Sequence, residues 1–328
     1  MELYPLLLLP EFSPRPWGGT DLSPIYAGRK FAEKIGEAWL TGDECKVANG
    51  PLAGQRLADL AERFGRDLVG DTAREPKRFP LLLKFLFPHD KLSVQVHPDD
   101  ACAQRVGQPW GKTECWYVLH AEKGAQVALG MKPGTTRKQL QQAIQETRAE
   151  ELLNWIDIHA GEMIYVAGGT VHAIAPGSIL VETQQSSDTT YRLYDYGRPR
   201  PLHLEQGLQA VKEKTASGKV RHAAANGHNG HDHQELIASP FFVVEKLTLG
   251  GPREFTTREE GQRLVEILVA VKGCGVLETS GGQPVTFAPG EAVVVPACLG
   301  DFRVRPQWSV EFLRARVPAH ARPEPAVV

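Results

Sequence analysis

The segment KLSVQVHPDD, residues 91–100, carries a hydroxyl, an amide and an imidazole at Ser93, Gln95 and His97, alternating with Leu92, Val94 and Val96. A repeat of two is that of a strand, so the polar groups share one face and the apolar groups the other. A water-facing side of an antiparallel sheet would account for the pattern. The competing account is that the strand lines the inside of a small barrel and its polar face is a binding site, which requires partners elsewhere in the chain. In WGKTECWYVLH (110–120) the same alternation puts Lys112, Glu114 and Trp116 together, and GTVHAIAPG (169–177) presents His172 beside Thr170 and Ile174. If these three strands line one barrel, His97, Glu114 and His172 converge, with Gln95 as a further candidate. Two imidazoles and a carboxylate with an open position suit a catalytic Zn²⁺. Cobalt, nickel, manganese and iron accept the same donors, so the residue types point to a divalent ion more firmly than to one metal. Taken singly, His97 reads as an ordinary surface histidine and Glu114 beside Lys112 as half of an exposed ion pair of little energetic weight.

The elements that would hold these residues are mostly strands. Across 328 residues, 42% of them hydrophobic, 32 glycines and 24 prolines punctuate short Val/Ile/Leu/aromatic runs, and the length suggests about two domains. Helical periodicity is confined to residues 56–70, 135–156 and 202–214. Asp99 or Asp100 is placed to cap a short helix starting near Ala101. LYPLLLLPEF near the start is too short to cross a bilayer and reads as an N-terminal strand. Lys and Arg total 37 against 39 Asp and Glu, a formal charge of -2, so no basic excess recruits nucleic acid or anionic lipid, and an anionic ligand must meet a local basic pocket. Five scattered cysteines (45, 102, 115, 274, 298) without a Cys-x-x-Cys pair fit reduced thiols and a cytoplasmic location. Residues 216–235, with His222, His228, His231 and His233 among Gly, Asn and Ala, have the composition of a solvated linker, although clustered imidazoles also pick up metal adventitiously. The domain boundary is placed there: 1–221, a linker at 222–235, and 236–328.

A weak repeat flanks that boundary. GEMIYVAGGTVHAIAPG (161–177) and GEAVVVPACLGDFRVRP (290–306) share Gly-Glu, a five-residue strand, a turn of small residues and a second strand, each preceded by a comparable strand pair. Duplicated hairpins of this kind resemble the cupin double-stranded β-helix, a jelly-roll barrel. The spacing of Gly161, Ala167, Gly169 and His172 follows the second cupin motif, with Ala where Pro is usual. In the C-terminal copy Asp301 stands where the histidine would be, so the expectation is two cupin-like barrels with a few inserted helices, the second one without metal.

Longer blocks carry a more specific likeness. FPLLLKFLFPHDKLSVQVHPDD, GKTECWYVL and SSDTTYRLYDYGR, with IGEAWLTGD near the start, resemble the signature blocks of the type I mannose-6-phosphate isomerases in their short bacterial form. The resemblance implies a zinc-dependent aldose–ketose isomerase acting on a phosphosugar through a cis-enediol, monomeric or homodimeric. It implies zinc ligands at Gln95, His97, Glu114 and His172, Gln95 being the weakest because a neutral amide binds poorly. It also implies a catalytic arginine at Arg192, and Lys84 and Ser93 on the phosphate side. An arginine keeps its proton, so Arg192 is an electrostatic clamp and a poor base. The proton-transfer group is then Glu182 or Lys112, with a pKa shifted by metal or burial. Two plainer readings stand beside these: Glu182 as a salt bridge to Arg192 that only shapes the pocket, and Lys84 as a side chain that snorkels out of its apolar strand. A metal-free sugar-binding cupin and an Fe²⁺ dioxygenase are the alternatives from other classes. The donor set argues against the first, and the Lys, Ser and Arg expected around an anionic substrate argue against the second.

Overall fold

The run FPLLLKFLFP becomes the strand Leu81–Leu86, buried at every position. Leu81, Leu83 and Phe85 on one side pack with Cys115, Tyr117 and Val181 of the neighbouring strands against Ile267, Val269, Val294 and Leu313 from the C-terminal half. Leu86 on the other side joins Trp116, Val118 and Leu180 against Val127, Leu129 and Ile174. A sheet covered on both faces needs apolar residues at consecutive positions, which is why the sequence here runs without alternation.

The computed structural model describes residues 2–221, 226–228 and 231–328. It is mostly β, and the strands named below pair antiparallel throughout. A seven-stranded sheet has the order Gly218–Lys219, Met163–Val166, Glu114–Ala121, Ser178–Gln185, Leu81–Leu86, Lys30–Trp39, Glu11–Asp21. A five-stranded sheet facing it has the order Tyr191–Tyr194, Val94–Val96, His172–Ile174, Gln126–Met131, Leu153–Asp157. A nine-stranded sheet is built mainly from the C-terminal half. The alternation read in residues 91–100 holds from Ser93 on: Val94 and Val96 are buried in the apolar layer behind the five-stranded sheet, and Ser93, Gln95 and His97 face the other sheet, whereas Leu92, expected with the valines, precedes the strand and packs between the sheets with Trp116 and Val127.

Several elements differ from expectation. The helix expected over 135–156 is present as Arg137–Gln145, opened by a Thr136/Gln139 capping box. It stops before Thr147, whose φ is 58°, and LNWID forms the strand Leu153–Asp157 paired with Gln126–Met131. Cross-strand burial of Leu153 and its aromatic neighbour outweighs the helical spacing. The helix expected over 202–214 ends at Ala210, and 56–70 is broken at Gly65 into Leu57–Phe64 and Arg66–Val69. Asp99 caps Asp100–Arg105 by accepting from the Cys102 N–H at 2.7 Å. Leu6–Leu8 is a strand, but it pairs with Ala292–Val295 of the nine-stranded sheet, across the expected domain division. Part of the expected linker, residues 222–225 and 229–230, lies outside the described residues. His231–Ala238 is a strand that pairs with Val243–Leu249, so ladder hydrogen bonds take residues 231–235 out of the expected linker. No helix among the described residues is long and apolar enough to cross a membrane.

Backbone approach sets how closely the His97 and His172 strands meet. The Gly169 N–H donates to the His97 carbonyl at 2.8 Å, with Gly169 at φ +94°. A Cβ on Gly168 would lie 2.7 Å from the Asp99 Cα and 2.9 Å from its nitrogen, backbone atoms that cannot swing aside. Gly168→Ala is therefore expected to lose about 1–3 kcal/mol in urea unfolding, as overpacking usually does. Gly251→Ala, whose nearest neighbour would be 3.7 Å away, is expected to stay within about 0.5 kcal/mol of the parent, as an ordinary surface change. Equal stability of the two variants would contradict this account of the turn.

Candidate active site

Register brings the polar side chains together. In the five-stranded sheet Gln95 lies between His172 on one neighbour and Arg192 on the other. Glu114 lies between Gln184 and Val166 in the facing sheet. Across the gap, one donor atom each from His97, Glu114 and His172 falls within 4.8 Å of the others. His97 Nε2 is 3.4 Å from Glu114 Oε2, and His172 Nε2 is 3.5 Å from Glu114 Oε1. All three residues are at most 2% exposed, so neither the surface-histidine nor the exposed-ion-pair reading survives.

The two imidazoles are aimed by the backbone. His97 Nδ1 donates to the Thr189 carbonyl and His172 Nδ1 to the Thr170 carbonyl, both at 2.9 Å. A carbonyl only accepts, so the proton is on Nδ1 and the Nε2 lone pair points toward Glu114. This is how ligating histidines are commonly oriented. Burial drives both imidazoles toward the neutral form: His172 falls to about 4 and His97 well below its ordinary value. Burial pushes the Glu114 carboxyl up to about 7 against the pull of Lys112. Glu114 Oε1 is buried with no hydrogen-bond partner, an uncompensated arrangement that a cation would relieve. The Lys112 ammonium touches Glu114 Oε2 and lies 2.9 Å from His97 Nε2. Neutral imidazoles whose Nε2 lone pairs face only the Lys112 and Gln95 side-chain nitrogens, and a carboxylate with a bare oxygen, fit a divalent transition ion. Gln95 is at the edge of the set, its Nε2 3.2 Å from His172 Nε2, with Ser93 Oγ 3.5 Å from its Oε1.

Next to the cluster runs a row of charge. Trp116, Glu182 and Lys84 lie opposite one another on three adjacent strands. Lys84 Nζ is 3.3 Å from Glu182 Oε2 and 4.5 Å from the Trp39 ring centroid, and Trp116 Nε1 donates to Glu182 Oε1 at 3.1 Å. Lys84 is 3% exposed, and the covered sheet leaves it no route by which to snorkel. Burial alone would raise the Glu182 carboxyl, but Lys112 and Lys84 outweigh it and hold it at about 2. Burial alone would lower Lys112, but Glu114 and Glu182 raise it. Opposite charges about 4 Å apart gain roughly 4 kcal/mol at an effective dielectric of about 20, comparable to the several kcal/mol each ion loses in desolvation. The alternative pairing of Glu182 with Arg192 is absent. Arg192 Nη1 donates to the Pro201 carbonyl at 2.9 Å, its Nε is buried without a partner, and among the described residues no carboxylate lies within ion-pair distance.

Lys84, Ser93, Gln95, Lys112, Glu114, Glu182 and Arg192 line one cavity of about 420 Å³. Arg15, Glu37, Asp188, Thr190 and Arg200 also line it and were not singled out by sequence reasoning. Glu37 sits in IGEAWLTGD, and Asp188 and Thr190 sit in SSDTTYRLYDYGR, so those blocks contained the signal. Arg15 and Arg200 carry none, because each is a surface-type residue in a Pro/Gly-rich stretch. Their charges are met by Glu37 at 3.0 Å and Asp195 at 2.7 Å.

The model of the phosphomannose isomerase type I catalytic domain matches residues 7–110. The mannose-6-phosphate isomerase ManA of Bacillus subtilis is 34% identical over 322 residues, 93% of this chain and 96% of its own. A mannose-6-phosphate isomerase of Streptococcus mutans is 38% identical over 304 residues, 89% of this chain and 92% of its own. The crystal structure of the Bacillus subtilis mannose 6-phosphate isomerase superposes with a TM-score of 0.84 at 30% identity, covering 95% of this chain and 99% of that one. With likeness running through both halves, beyond the catalytic blocks alone, the chain belongs to the type I mannose-6-phosphate isomerase family.

Proposed function

We propose that this chain interconverts D-mannose 6-phosphate and D-fructose 6-phosphate at the cavity between the seven- and five-stranded sheets, with Zn²⁺ as cofactor. The observation that carries the reading is the buried His97–Glu114–His172 cluster, which meets through Glu114 a cavity that also holds an ionised carboxylate and an arginine without a counter-ion among the described residues. His97, Glu114 and His172 hold the ion, with Gln95 as a fourth donor through its amide oxygen. An ion held there would supply electrostatic stabilisation of negative charge on the sugar oxygens.

The remaining roles follow from the charge row. Of the two proton-transfer candidates, Glu182 has a free lone pair at neutral pH and Lys112 does not, so Glu182 is assigned to accept the proton and return it to the neighbouring carbon. Lys112, held as an ammonium by Glu114 and Glu182, donates a hydrogen bond to the substrate oxygens. Lys84 was expected to contact phosphate. Its charge is already taken by Glu182, so it is assigned to hold that carboxylate ionised and in place. Arg192, without a counter-ion among the described residues, is assigned to the enediolate, with Ser93 and the cavity mouth left for the phosphate.

Two broader assignments accompany the mechanism. The segments 161–177 and 290–306 are not hairpins, since the two strands of each pair with other strands, but each opens on a glycine of positive φ, Gly161 and Gly290, and their likeness supports two cupin-like double-stranded β-helix barrels, with the catalytic one in 1–221 and the second in 236–328. Reduced cysteines, all five unpaired, support a cytoplasmic enzyme, monomeric or homodimeric, whose partner is a phosphosugar and neither nucleic acid nor membrane.

Chelation followed by desalting is expected to abolish turnover, and stoichiometric Zn²⁺ to restore it, while His172→Ala remains folded by circular dichroism but retains neither metal nor rate. Full turnover by protein verified as metal-free would overturn the mechanism. Arg192→Lys keeps the charge and loses the planar fork of donors, so kcat is expected to fall about 10²–10³-fold, the usual loss for one transition-state donor, with KM little changed. Lys84→Met is expected to lower kcat as well, by releasing Glu182. An effect of Arg192→Lys on KM alone would make the arginine a phosphate anchor.

A further inference from the structure

A second cavity, of about 260 Å³, opens at the seam where the seven-stranded sheet meets the nine-stranded one. Trp110, Phe241, Pro80 and Val317 form the apolar part of its wall. Its charge is unusual. The Arg78 guanidinium stacks 4.8 Å from the Trp110 ring centroid, its Nε is buried without a hydrogen-bond partner, and among the described residues no carboxylate is within ion-pair distance. Arg74, also in the wall, is matched by Asp100 at 2.8 Å. Glu75 is the one acidic residue of the lining, and it is exposed. An apolar slot with one unmatched cation recognises a flat ring that carries an anionic group: the ring buries apolar surface against Trp110 and Phe241, and the anion meets Arg78.

The cavity shares a wall with the catalytic site. Trp110 Nε1 donates to the Ser186 carbonyl at 2.6 Å. The adjoining Gln185 side chain accepts from the Thr113 N–H at 2.8 Å and donates to Asp100 at 3.0 Å. Thr113 separates Lys112 from Glu114, and three residues beyond Ser186 the Thr189 carbonyl orients His97. A group seated on Trp110 and Ser186 therefore presses on the segments that set the geometry of the catalytic cluster.

We infer that this seam cavity is a regulatory site for small aromatic or heteroaromatic anions, coupled to the catalytic cavity through the Trp110–Glu114 and Gln185–Thr189 segments. Coupling between two sites is reciprocal, so ligand in one must change affinity at the other.

The test is titration calorimetry on the zinc-loaded full chain with indole-3-acetate as probe, without and with saturating fructose 6-phosphate. The inference expects saturable one-to-one binding that weakens about tenfold in Arg78→Met and with the neutral probe indole-3-acetamide. It also expects a probe affinity that shifts several-fold with fructose 6-phosphate and then levels off. Arg78 lies outside the catalytic cavity, so the variant keeps its basal isomerase rate and serves as its own folding control. Absence of probe binding at millimolar concentration, or binding indifferent to Arg78→Met, would overturn the site. A probe affinity that falls without limit as fructose 6-phosphate rises would show competition at the catalytic cavity and overturn it equally. An affinity unmoved by fructose 6-phosphate would overturn the regulatory role. Fructose 6-phosphate heats are measured in the same cell, so their absence would strike the isomerase reading while the probe's own binding still decides the seam site.

Discussion

Burying mutually dependent charges between two sheets is the constraint on which the rest of this structure depends. Glu114, Glu182, Lys84 and Lys112 are each no more than 4% exposed, and none could be there alone, since an unpaired buried ion costs several kcal/mol. Each therefore has a fixed neighbour: Lys112 against Glu114, Lys84 against Glu182, the Trp116 indole N–H on Glu182, and the Trp39 ring on Lys84. The apolar layers on either side lower the local dielectric and strengthen these interactions. Register keeps them specific, because a slip of one residue in Leu81–Leu86 or Ser178–Gln185 would turn every charge into the apolar face.

Within that balance the Lys112 ammonium matches the charge of Glu114, but one oxygen of the carboxylate stays bare beside the two imidazoles. Two neutral imidazoles, a carboxylate with a bare oxygen and a single ammonium describe a site prepared for a dication before one arrives. Preorganisation of this kind places the cost of aligning donors on folding, so that little reorganisation accompanies the reaction. The hydrogen bonds from the histidine Nδ1 atoms to Thr170 and Thr189 belong to the same logic, since they decide which nitrogen is offered.

Much of this was legible in the sequence because strands translate spacing directly into facing. Alternation alone grouped Ser93, Gln95 and His97, and separately Lys112, Glu114 and Trp116, and the Gly-rich turn before His172 marked a close approach. What alternation does not contain is which strands pair. The partnership of Glu182 with Lys84, in place of Arg192, depends on the ladder between Leu81–Leu86 and Ser178–Gln185, two segments far apart in the chain whose register is set only when they meet. The same limit hid Leu6–Leu8 in the C-terminal sheet. The overlong helix at 135–156 failed for a different reason: LLNWI satisfies both periods, and only the waiting edge of Gln126–Met131 decides between them. Arg15 and Arg200 reach the cavity from Pro-rich stretches, where no period exists to read.

The central claim is that His97, Glu114 and His172 are the residues that hold the metal, and zinc K-edge X-ray absorption on the zinc-loaded protein tests it most directly. The account predicts a first shell of nitrogen and oxygen only, at about 2.0–2.1 Å, with the outer-shell scattering of two imidazoles. A sulfur shell at about 2.3 Å would bring in a cysteine such as Cys115, whose side chain lies on the opposite face of its strand, and would contradict the placement of the ion. So would a spectrum with no imidazole scattering.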